Sequence, residues 1–116
     1  MRGVSPERFD ELVVEALEGL PRWVQERLDN VEVLVEAVPP SGERLLLGLY
    51  EGIPLTQRGG GYHGVLPDRI TLFKRAIEAV ARNEDDLRRI VGHTVVHEFA
   101  HFFGISDDRL RELDRY

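Results

Sequence analysis

The chain reads as an α+β domain, with a small, mostly antiparallel sheet of about three to four strands packed on helices, one of them carrying His97-Glu98-Phe99-Ala100-His101. Three observations predict this class. Apolar residues recur at helical spacing near the start of the chain, and a second helical run extends from Asn83 to about Phe103. Between them, Val31, Val33, Val35 and Ala37 alternate with Glu32 and Glu36, the period-two signature of a half-buried strand. Finally, 116 residues with 42% hydrophobic content can bury one core and leave no room for a second, so residues 1–116 are expected to form a single domain.

Each element follows from local chemistry. Ser5-Pro6-Glu7 is a helix start, with Ser5 as cap and Pro6 in the first turn, where its missing N–H costs nothing. Phe9, Leu12, Val13, Ala16, Leu17 and Leu20 form its buried stripe, and Gly19 and Pro21 end it. A shorter helical stretch from Pro21 to Leu28 offers Trp23, Val24 and Leu28 to the core. After the first strand, Pro39-Pro40-Ser41-Gly42 turns the chain, and Arg44 to Tyr50 reads as a hairpin partner. Residues 51–67 contain Arg58-Gly59-Gly60-Gly61-Tyr62-His63-Gly64, a long glycine-rich loop for so small a domain. Arg69 to Phe73 is a third strand. Lys74 to Arg82 fits either a continuation of that strand or a short helix. Asn83 caps the main helix, and Glu84, Asp85 and Asp86 in its first turn complement the helix dipole. Gly104 supplies a left-handed stop, and Ser106 or Asp107 opens a last short helix to about Leu113.

Composition removes several classes of function. The formal charge of −6 disfavours nucleic acid or an anionic membrane as partner, because phosphate binding needs a basic stripe. The absence of cysteine removes disulfides, Cys-x-x-Cys zinc sites and thiol catalysis. It also removes deaminase and deformylase chemistry, in which cysteine ligates the metal. No apolar run approaches the roughly 20 residues of a membrane span. Met1 to Glu7 lacks the features of a signal peptide, so a cytoplasmic protein is expected.

The chemistry is concentrated in residues 97–107, which read HExxHxxGxxD. Two histidines four residues apart share one face of a helix and can close on one metal ion, while the glutamate between them faces the water to be activated. His93, His97 and His101 form a stripe, but eight residues of helix rise about 12 Å, too far for all three to reach one ion. Glu98 directly follows His97, and a turn at Gly104 can bring Asp107 back to the metal. The predicted ligands are therefore His97, His101 and Asp107 for one zinc ion per chain, with Glu98 as general base. Asp108 and Glu112 are substitutes for Asp107, whose place before a helix also suits a cap. His93 becomes a supporting or buried polar residue. Tyr62 and His63 are candidates for substrate contact from the loop.

This extended motif resembles that of the metzincin metallopeptidases. Leu66-Pro67-Asp68-Arg69-Ile70-Thr71-Leu72-Phe73 followed by His93 to Asp107 is similar to the small bacterial zincin-like metallopeptidase family, a minimal zincin. The likeness is sharp over the C-terminal half and rests on element order in the N-terminal half. Met1 is the only methionine, so the Met-turn of the larger metzincins has no counterpart. The resemblance implies a minimal zincin-like fold and hydrolysis of a peptide or protein substrate. The expected reaction uses metal-activated water, with the substrate extended along a strand edge, either Arg44 to Tyr50 or Arg69 to Phe73. Two other readings stay open. The spacing of His97, His101 and Asp107 is similar to the HxxxHxxxxxH of bacterial metal-dependent endoribonucleases, although Glu98, an acidic third position and the lack of basic surface oppose it. The other is a metal-binding or regulatory module that keeps the scaffold without turnover.

Overall fold

A computed structural model describes residues 1–28, 30–42, 46–53, 67–106 and 108–109. In chain order these form α1 (Pro6–Glu18), α2 (Arg22–Gln25), β1 (Val31–Glu36), β2 (Gly48–Glu51), β3 (Asp68–Phe73), α3 (Lys74–Val80) and α4 (Glu84–Phe102). Helix α1 begins as expected: Ser5 Oγ accepts the Arg8 N–H at 3.0 Å, and Phe9, Leu12 and Val13 are buried. Asn83 caps α4 in the same way, its Oδ1 accepting the Asp86 N–H at 2.8 Å. The two helices pack together and are tied at the surface by Arg8 to Glu84 (2.6 Å) and Arg88 to Glu15 (2.7 Å).

The sheet has the order β1-β3-β2. Strand β1 runs parallel to β3, with Val33 opposite Ile70 and Val35 opposite Leu72. Strand β2 runs antiparallel to β3, with Gly48 opposite Leu72 and Tyr50 opposite Ile70. The expected hairpin between the first two strands is therefore not formed. Although the Pro39 turn exists, closed by Gly42 N–H to Pro39 O at 3.0 Å, the chain passes β3 and lands on its far side. The reason lies in burial. Strand β3 buries every residue but Arg69, as a central strand must, whereas β1 exposes Glu32 and Glu36 and β2 exposes Glu51, charges suited to edges.

Phe9 and Leu12 of α1, Ile70 and Leu72 of β3, and Val91 and Val95 of α4 meet in one core. Lys74 to Val80 resolves as helix, with Ala76 and Ile77 buried. Trp23, expected in the core, is 55% exposed. Helix α2 has only four residues, and Val24 takes its inward position. The indole instead packs on Phe103, with ring centroids 5.4 Å apart, and lies beneath the Arg27 guanidinium. No helix among the described residues is long and apolar enough to cross a membrane.

Candidate metal centre

Helix α4 carries the site. Its inner face buries Leu87, Ile90, Val91, Val95 and Phe99, and the same face then turns polar at Thr94 and Glu98, both about 5% exposed. Thr94 satisfies its hydroxyl on its own helix, donating to Ile90 O at 2.8 Å, so its methyl group faces the sheet. His97 and His101 stand on the adjoining, half-open face, one turn apart, with ring centroids 4.7 Å apart. Beyond them the helix stops where glycine allows it. Gly104 has φ +84°, its N–H bonds to His101 O at 2.9 Å, and Ile105 N–H bonds to Ala100 O at 2.9 Å, the paired bonds of a Schellman ending.

Donor atoms of His97, Glu98 and His101 all lie within 4.8 Å of one another. Glu98 Oε1 is 3.2 Å from His101 Nδ1. A proton held on Nδ1 by this contact leaves Nε2 as the basic nitrogen, the form in which imidazole ligates a metal. Two imidazoles suit zinc, a borderline ion that takes nitrogen ligands at roughly 2.0–2.1 Å, and the carboxylate between them stands where a metal-bound water would be met. The residues present therefore fit the metal that the motif implies.

The second wall of the site is the sheet. A cleft of about 350 Å³ runs between Leu46, Leu47 and Gly48 on one side and His93, Thr94, His97 and Glu98 on the other. Gly48 makes this approach feasible: a Cβ there would stand 2.8 Å from Thr94 Cγ2 and 3.1 Å from Glu98 Cγ. Sequence reading passed over Gly48, yet a glycine inside the apolar run Leu45-Leu46-Leu47-Gly48-Leu49-Tyr50 is itself a signal of close backbone approach. Further along, Tyr50 packs edge-on to Phe102, and its hydroxyl donates to the buried Asp68 carboxylate at 2.6 Å, fastening β2 to β3.

Of the residues named from sequence, the structure brings His97, Glu98 and His101 together. His93 lies in the same cleft one turn earlier; burial lowers its pKa, helped by the positive fields of His97 and Arg89. Asp108 is exposed. Asp107, Tyr62, His63 and Glu112 fall outside the described residues, as does most of the glycine-rich loop. Ser106 Oγ accepts the Arg109 N–H at 3.2 Å, so the cap expected at Ser106 or Asp107 is made by Ser106. Of the two strands considered as substrate edges, Arg69 to Phe73 lies in β3 at the centre of the sheet, and β2 is, among the described residues, at its margin beside the site.

A helix that presents His97, Glu98 and His101 beside the marginal strand of a small mixed sheet defines a metal-dependent, peptidase-like scaffold. A sequence model of the zincin-like metallopeptidase family matches residues 28–116, and the chain belongs to this family. Among solved structures it is similar to a conserved hypothetical protein from Thermo thermophilus. The two are 31% identical over 84% of this chain and 92% of the other, with a TM-score of 0.59. No curated protein matches it.

Proposed function

We propose that the protein is a zinc-dependent metallopeptidase, with His97, His101 and Asp107 holding one zinc ion and Glu98 acting as general base. The observation that supports this reading is the cluster of His97, Glu98 and His101, two of which, His97 and Glu98, line a cleft opposite Leu46, Leu47 and Gly48. Zinc, when bound, supplies a Lewis acid that polarises the scissile carbonyl and makes water nucleophilic near neutral pH. The remaining work belongs to the chain. Strand β2 pairs with an extended substrate backbone and holds it across α4. Glu98 takes the proton of the attacking water and passes it to the leaving amine. Its burial beneath the strand keeps the carboxylate aimed by limiting its rotamers, with Gly48 and Thr94 as the packing surface.

The test is Glu98→Gln, which keeps shape and hydrogen-bonding reach while removing the base. Zinc content, measured on the purified chain, should remain at one per chain, and hydrolysis of a denatured-protein digest should fall by about 10²-fold or more. A loss of only a few-fold, with a chelator still abolishing activity, would remove Glu98 from the role of base. Cleavage of RNA and of no peptide by the zinc-loaded chain would replace the peptidase reading with the nuclease one.

A further inference from the structure

Strand β2 touches α4 before and after the pair His97 and His101. Before it, Gly48 lies against Thr94 and Glu98. After it, the Tyr50 ring packs edge-on to Phe102, with centroids 6.1 Å apart. The first contact is made by backbone, whereas the second depends on a side chain that must itself be held. A carboxylate holds it: Tyr50 Oη donates to Asp68 Oδ2 at 2.6 Å, and Asp68 is 2% exposed. Asp68 is in turn fixed from two further sides. Its N–H bonds to Asn30 O at 2.9 Å, and Gly52 closes over the carboxyl group, where a Cβ would stand 2.6 Å from Asp68 Cγ. A carboxylate so confined cannot follow a moving partner, so the tyrosine is anchored to the start of β3. Phe102 passes the constraint on. It is buried, it directly follows His101, and its ring meets those of Phe99 and Phe103 at 6.4 and 5.1 Å.

We infer that Asp68 and Tyr50 are positioning residues for the metal centre: their hydrogen bond fixes the last turn of α4 against β2, and with it His101 and the turn at Gly104 from which the chain continues to Asp107. The inference rests on the metal-ligand part of the proposed function. Helix ends open more readily than helix centres, and His101 stands in the last turn. A ligand on a turn that opens holds metal only for the fraction of time the turn is formed, so a tether that keeps it formed raises affinity by that fraction. The bonds that close this turn, from Phe103 N–H to Phe99 O, Gly104 N–H to His101 O and Ile105 N–H to Ala100 O, are the ones the tether protects. Neither Asp68 nor Tyr50 touches the metal or the reacting atoms; both act through Phe102.

Two readouts, neither of them activity, test this on the full chain. Zinc dissociation constants are measured by competition with a chromophoric chelator, and amide hydrogen exchange is followed by NMR without metal. Tyr50→Phe removes one oxygen and keeps the ring on Phe102. It should weaken zinc by about tenfold, the lower end of what groups behind metal ligands contribute, and speed exchange at Phe103, Gly104 and Ile105 by a similar factor while leaving Leu87 at the start of α4 unchanged. Asp68→Ala should do at least as much, and the double variant no more than Asp68→Ala, because the two residues act as one unit. Tyr50→Phe carries the test should Asp68→Ala fail to fold. Asn83→Ala, which loosens the opposite end of α4, is the control for stability loss alone and should keep the zinc affinity of the wild type. Zinc affinity in Tyr50→Phe within twofold of wild type, or exchange that rises equally at Leu87 and Gly104, would reduce the pair to a structural fastener and overturn the positioning role while leaving the metal site intact. A wild-type chain that binds no zinc would overturn the metal site and this role together.

Discussion

The two ends of α4 each bury a carboxylate, and they do so on different terms. At the start, Asp86 is 7% exposed and fully provided for: it accepts from the Arg82 N–H at 2.9 Å, and Arg89 and Arg82 form ion pairs at 2.6 and 3.3 Å. At the other end, Glu98 is 5% exposed, and among the described residues it stands beside the imidazoles of His97 and His101 and lines the cleft. Permanent cations and a backbone donor neutralise Asp86, which is what a structural charge needs. Glu98 stands with two imidazoles whose donor atoms could share a metal ion with it, the setting the proposed general base requires. Glu78 resembles Asp86, held by the Lys74 ammonium at 2.9 Å and the Val4 N–H at 2.8 Å. Burial of an acid is therefore not the mark of the site; the kind of partner is.

The sharpest way to break this comparison is to remove the proposed metal ligands. His97→Ala or His101→Ala should abolish zinc binding, read by metal analysis after dialysis, because the remaining ligands cannot hold the ion tightly. His93→Ala should retain it. If zinc stays with the double variant His97→Ala/His101→Ala, the site assignment is wrong.

A smaller effect tests the wall rather than the ligands. Gly48→Val should cost roughly 1–3 kcal/mol of stability by overpacking and push β2 from Glu98, so hydrolysis should suffer beyond what the stability loss explains. Unfolding titrations beside activity at saturating zinc make the comparison. Unchanged activity would mean that the strand does not aim the carboxylate.

At the structural end of α4, Asp86→Asn should destabilise the fold in a pH-dependent manner. The Arg89 and Arg82 hydrogen bonds hold the Asp86 pKa down at about 2, against an ordinary value of 3.8. A carboxylate with a lowered folded pKa contributes its full stability above the ordinary value and loses it as pH falls toward the folded one. The gap between wild type and variant in thermal midpoint should thus be full above about pH 4 and close between about pH 4 and 2. A gap that stays constant through that window would assign the effect to packing. The mildest change, Asn83→Ala, removes the adjoining cap and should cost about 1 kcal/mol with zinc affinity unchanged.

Much of this was legible in the chain because it depends on neighbours in sequence. Ser5, Asn83 and Gly104 act on groups within a few residues, and the alternation of Val31, Val33 and Val35 states which face of β1 is wet without reference to any partner. His97, Glu98 and His101 lie within five residues on one helix, so α-helical geometry alone brings their donors together. Trp23 was misjudged because helical periodicity in a four-residue helix leaves the inward position undetermined until α4 and Phe103 are in place. Strand order was likewise undecided. A turn at Pro39 is compatible with a hairpin, and only the competition for the buried centre, won by β3 with its apolar faces, sends β2 to the far side. That outcome sets Gly48 against Thr94 and Glu98, and with it the cleft. Local hydrogen-bond and helix geometry let the sequence by itself determine the caps, the helices and the metal-binding motif. The strand beside that motif, the depth at which Glu98 is buried and the pocket leading to His93 were decided by tertiary structure, because each depends on which distant surfaces exclude water together.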